Sequence, residues 1–69
     1  MTVDLSNDPH IRALREVLVA EHEAAVADEQ KLADAAAARG DEWYRRWHQE
    51  AADRLRAMPY PWEKAQRAA

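Results

Sequence analysis

Apolar residues recur along the first half of the chain at Ile11, Leu14, Leu18, Ala25, Leu32 and Ala35, a near-heptad spacing that marks one face of a helix. Val17 and Ala24 widen this stripe on one flank. Glu21 and Asp28 interrupt it, so the face reads as an imperfect coiled-coil seam with two acids near it. No Pro or Gly falls between His10 and Arg39. Asp8 can cap the first turn, and Pro9 behind it takes the position where a missing N–H costs nothing. Gly40, the single glycine of the chain, suits a left-handed C-cap. These signals predict one long helix over about 8–39, roughly 47 Å at ~1.5 Å per residue.

A second stripe follows at Tyr44, Trp47, Ala51, Leu55 and Met58, with Trp43 on its flank. Asp41 can cap this helix and Pro59 stops it, which predicts a shorter helix over about 41–58. A connection as short as Gly40-Asp41 makes the two helices antiparallel neighbours. Folding about it sets Trp43, Tyr44 and Trp47 against the run Ala33, Ala35, Ala36, Ala37 and Ala38. Large knobs are expected to fill small holes there, with Trp47 deeply buried. The shorter helix cannot reach the first turns of the longer one, which leaves Ile11, Leu14, Val17 and Leu18 uncovered. The extended, restricted segment Pro59-Tyr60-Pro61-Trp62 is expected to cross them. The expected architecture is all-α: an antiparallel two-helix hairpin in a single domain over 1–69, with an N-terminal arm at 1–7 and an extended aromatic C-terminal tail at 59–69.

Chain length changes this picture. A chain of 69 residues seldom draws more than about 3–5 kcal/mol from one core. With no Cys, neither disulfides nor a thiolate zinc site can supplement it. Self-association is the remaining staple, and the uncovered apolar turns predict a homodimer that forms a four-helix assembly. Glu21 and Asp28 oppose a parallel pairing of like faces and favour an antiparallel one. Residues 1–30 carry seven acids against Arg12 and Arg15, a net of −5, while residues 31–69 carry eight bases against six acids, a net of +2. An acidic helix folding back on a mildly basic one accounts for that asymmetry. The overall charge of −3 speaks against a dedicated nucleic-acid binder. No apolar run forms a signal peptide or approaches the ~18 residues of a membrane span, which predicts a cytoplasmic protein with no membrane partner.

Metal chemistry would draw on Glu21-His22-Glu23, Asp28-Glu29 and His48, but the spacing is wrong for it. A carboxylate-bridged bundle needs Glu-x-x-His on one helix face, and positions 19 and 45 hold Val19 and Arg45. No metal or cofactor is expected. Three scattered His without a Ser-His-Asp or Cys-His set, in a chain with little material for a pocket, predict no catalytic residues and no enzyme.

The hexapeptide Trp43-Tyr44-Arg45-Arg46-Trp47-His48 interleaves aromatics and arginines as base stacking and phosphate binding require. Tyr44 and Trp47 nevertheless fall on the core face. Glu42 with Arg46, Arg46 with Glu50 and Glu50 with Arg54 stand at i,i+4, where they can pair locally. Arg45, Gln49 and Arg56 form an outer stripe, and Arg45, Arg46 and Arg56 remain candidate contacts to phosphate or an acidic partner. The function expected is a non-catalytic small helical protein–protein interaction module or regulator that self-associates, with Ile11, Leu14, Val17, Leu18, Tyr60 and Trp62 as candidate interaction residues. The alternatives are a nucleic-acid-associated regulator using the helix-two arginines and a small auxiliary subunit of an enzyme complex.

Overall fold

The computed structural model describes residues 8–63, which hold two helices, α1 (Pro9–Ala38) and α2 (Glu42–Ala57), and no strand. The arm expected at 1–7 and the end of the tail at 64–69 lie outside the described residues. Both helices start at the caps expected of them. Asp8 Oδ1 accepts from the His10 N–H at 2.8 Å, ahead of Pro9. Asp41 Oδ1 accepts from the Tyr44 N–H at 3.1 Å. Each carboxylate satisfies a backbone donor that has no partner within its own helix.

α1 ends in a Schellman motif: Gly40, at φ 76°, donates to the Ala37 carbonyl at 3.1 Å, and Asp41 donates to the Ala36 carbonyl at 2.9 Å. Asp41 therefore closes α1 with its N–H and opens α2 with its carboxylate. No residue between the helices is left to adjust the direction in which α2 departs.

Positions shielded from solvent recur on α1 at His22, Val26, Glu29, Ala33 and Ala36, and on α2 at Arg45, His48, Ala52 and Leu55. The alternating steps of three and four define a seam, and Glu29 bonded to His48 and Gln30 bonded to Gln49 set its antiparallel register. Among the described residues only Ala33, Ala36 and Ala52 are buried, and no large side chain is fully so.

This seam is rotated from the one the apolar stripes predict, by less than a quarter-turn on α1 and by about a quarter-turn on α2. At about 100° per residue, Leu14, Leu18, Ala25 and Leu32 project about 30–70° to one side of the line of Ala33 and Ala36, and Tyr44, Trp47 and Ala51 about 60–120° from the line of His48 and Ala52. Because the helices are antiparallel, both stripes turn to the same broad side of the hairpin. The aromatics therefore do not fill the alanine run: Trp43 is 65% and Trp47 57% exposed, and Tyr44 is exposed as well. The cause is the link. It delivers Ala36 towards α2, and alanine against alanine lets the backbones approach closely, whereas an indole between them would wedge apart two helices joined by three residues.

The register sets the end of α2 level with about position 21, so α1 overhangs by about three turns. The tail does dock on its own hairpin, but along the seam line and not over the apolar stripe, and it is not extended throughout: residues 61–63 are helical, with the Glu63 N–H donating to the Tyr60 carbonyl at 3.0 Å. The Arg15 guanidinium lies 5.2 Å from the Trp62 ring centroid, Trp62 stacks on Tyr60 at 4.8 Å, and Tyr60 meets His22 edge to face at 5.3 Å. Arg15 and His22, seven residues apart, continue the row of Glu29 and Ala36, so the chain reaches them by carrying on in the direction of α2. Leu14, Val17 and Leu18, expected beneath the tail, are exposed, and Ile11 is half-buried.

Two stability outcomes follow. Gly40→Ala should destabilise by about 1–2 kcal/mol, the cost of a left-handed Cβ-bearing residue, with Gly40→Asn less costly; no atom lies within 4 Å of a Cβ built there, so urea unfolding reads the dihedral term alone. Ala36→Leu should cost about 1–3 kcal/mol by overpacking the closest approach, whereas Ala35→Leu, on the exposed stripe, should change stability by no more than about 0.5 kcal/mol.

Candidate functional site

The broad side that carries both stripes is the largest unassigned feature of the molecule. Leu14, Val17, Leu18 and Leu32 come from α1, Tyr44 and Trp47 from α2, and all are exposed. Ala25 and Ala51 lie between them and keep the middle of the face flat. The α1 stripe has two apolar ends, Leu14 to Leu18 and Leu32, separated by Glu21 and Asp28. At the turn end the aromatics contact one another. Trp43 and Trp47 stack with centroids 5.4 Å apart, Tyr44 packs edge-on against Trp43 at 5.0 Å, and the Arg39 guanidinium lies 5.6 Å from the Tyr44 centroid. The rings thus shield each other in part, but nothing from α1 covers them.

The opposite broad side is polar and tied together. Gln30 and Gln49 exchange amide hydrogen bonds at 2.9 and 3.1 Å, and each also donates to the carboxylate four residues on in its own helix, Gln30 to Asp34 and Gln49 to Asp53, both at 3.1 Å. Arg56 donates to Gln30 Oε1 at 2.8 Å and to Asp53 at 3.0 Å. Beside this network His48 Nδ1 and Glu29 Oε2 are 2.7 Å apart and partly buried. A carboxylate only accepts, so the ring nitrogen donates. An open groove of about 660 Å³ lies between this network and the tail, floored by Val26, Met58 and Tyr60 and rimmed by Lys31, Arg56 and Glu63.

Gln49, expected on an outer stripe with Arg45 and Arg56, is instead half of the interhelix amide pair. Arg45 forks onto Glu42 and Arg56 bonds Asp53, both three residues back, in place of the i,i+4 pairs Glu42–Arg46, Arg46–Glu50 and Glu50–Arg54 expected from spacing. Two of the three candidate phosphate contacts, Arg45 and Arg56, are therefore engaged within the chain, and Arg46 stands on the edge away from α1. Tyr60 and Trp62 are likewise engaged in the tail stack.

Among the described residues no three His, Cys, Asp or Glu side chains converge as a metal site would require, and no helix is long and apolar enough to cross a membrane. Comparison with models of known protein families, with curated proteins and with solved structures finds no match for this chain.

The Glu42–Arg45 pair makes a pH outcome. Hydrogen bonding to the Arg45 guanidinium, reinforced by the charges of Arg45 and Arg46, holds the Glu42 carboxyl below the ordinary carboxylate range against an opposing desolvation. A lowered folded-state pKa means the pairing stabilises α2 fully above the unfolded carboxylate range and is lost as pH falls through the folded value. Carboxyl-detected NMR should place the Glu42 midpoint below the ordinary glutamate range and return it towards that range in Arg45→Ala.

Proposed function

We propose that this protein is a non-catalytic helical interaction module that self-associates through the broad face bearing Leu14, Val17, Leu18, Leu32, Tyr44 and Trp47. One observation carries the reading: among the described residues only three alanines are buried, while Leu14, Val17, Leu18, Leu32, Tyr44 and Trp47 stand exposed on one side. Fully burying a Leu or an aromatic is worth about 1.5–3 kcal/mol, comparable for a few such groups with the whole stability of a small domain. A hairpin that leaves them in water has its folding energy still to gain.

Shape supports the same reading. The Cα atoms span 58 × 24 × 8 Å, a slab one helix thick, whereas stable domains bury their apolar faces between two packed layers.

The reading retains Leu14, Val17 and Leu18 as interaction residues, adds Leu32, Tyr44 and Trp47, and gives Ile11, Tyr60 and Trp62 to the hairpin itself. It draws on no active-site constellation, since His48 and Glu29 are taken up by each other. A nucleic-acid role for the arginines loses support from the engagement of Arg45 and Arg56.

Sedimentation at micromolar concentration should give twice the 7.9 kDa chain mass, with an unfolding midpoint that rises with concentration. Leu14→Glu with Leu32→Glu should abolish both effects, because each puts a charge into the shared face. A wild-type chain that stays monomeric and unfolds cooperatively at a concentration-independent midpoint would refute the proposal.

A further inference from the structure

We infer that the α1 stripe of this face is filled by a second copy of this chain turned end for end, so that α1 packs antiparallel on α1 and the two Gly40 turns stand at opposite ends of a four-helix assembly. The inference rests on the self-association proposed above and specifies its geometry.

Only two twofold arrangements lay the same broad side of two flat hairpins together. With the axis along the helices, each α1 lies on the α2 of the other copy and both turns share one end. α2 stops at Ala57, so nothing would lie opposite the overhang, and Leu14, Val17 and Leu18 would remain in water. With the axis across the helices, α1 lies on α1. The two are equal in length, so the overhang of each meets the turn half of the other, and Leu14 meets Leu32 of the partner subunit.

The stripe itself fits this second arrangement. Its positions at Leu14, Leu18, Glu21, Ala25, Asp28 and Leu32 step by four, three, four, three and four, a sequence of intervals that reads the same in both directions. Two copies therefore mesh antiparallel at one register in which all six positions pair: Leu14 with Leu32 of the partner subunit, Leu18 with the partner's Asp28 and Glu21 with the partner's Ala25. No acid faces an acid. A slide of half a heptad would set Glu21 against the partner's Asp28, which like-charge repulsion disfavours. The two acids that spoil the stripe as an intramolecular core thus serve to select one register.

Spin labels test the arrangement without touching the face. The chain has no native Cys, and Ala13 and Ala38 are exposed on turns of α1 that point away from the stripe. In the end-for-end assembly a label on Ala38→Cys lies thirty residue-levels from its counterpart, and on Ala13→Cys twenty, so pulsed EPR should give separations of about 45 and about 30 Å. Separations of about 10–20 Å at both positions, set by helix spacing alone, in a sample that sediments as a dimer would overturn this arrangement and leave the proposed self-association intact. A monomer mass with no intermolecular coupling would overturn both.

Discussion

The three-residue link Arg39-Gly40-Asp41 decides the rest of this molecule. Gly40 supplies the left-handed conformation that ends α1, and Asp41 at once begins α2, so the rotation of the second helix about its own axis is set before any side chain packs. A longer connection would let each helix roll until its most apolar stripe met the other. Here the roll is fixed, Ala36 faces α2, and the row it belongs to becomes the seam whatever hydrophobic content other rows carry. The glutamine pair, the His48–Glu29 bond and the path of the tail are consequences of that one angle.

The elements were legible in the sequence because their signals are local. Asp8-Pro9, Gly40-Asp41 and Pro59 each act on adjacent backbone groups, and the observed helices, Pro9–Ala38 and Glu42–Ala57, fall within three residues of the ends those signals mark. The orientation of the helices was not legible from apolarity. Periodicity names the stripe that must leave water, and reading that stripe as the intramolecular contact assumes that the chain can satisfy it alone. Leu14, Leu18, Leu32, Tyr44 and Trp47 form a valid stripe on the side the hairpin does not use. A signal for the true seam does exist in the sequence. Counting back from Gly40 in steps of four and three reaches Ala36, Ala33 and Glu29, and counting forward from Asp41 reaches Arg45, His48 and Ala52, small or complementary residues at matching levels.

A polar seam beneath a bare apolar face inverts the usual layering of a small domain, and the inversion has a physical use. Alanine contacts and amide hydrogen bonds are weak but particular: the Gln30–Gln49 pair satisfies both amides only at one register, since a slip of one residue would break both exchanged bonds. Such contacts specify how the two helices lie without contributing much to holding them there. Large apolar groups do the opposite, binding strongly with little preference for alignment. Separating the two kinds of group onto different sides lets one set the shape and the other supply the energy.

The single short turn also orders the steps by which the chain acquires its structure. Every contact between the helices closes across Gly40, and each pair farther from it encloses a longer loop, so the Ala36 end forms at least entropic cost and the rest zips outward from it. Topologies of this kind, with near contacts made first, lie at the fast end of folding rates. The tail stack on Arg15 and His22 spans the longest loop among the described contacts, closes last and opens first.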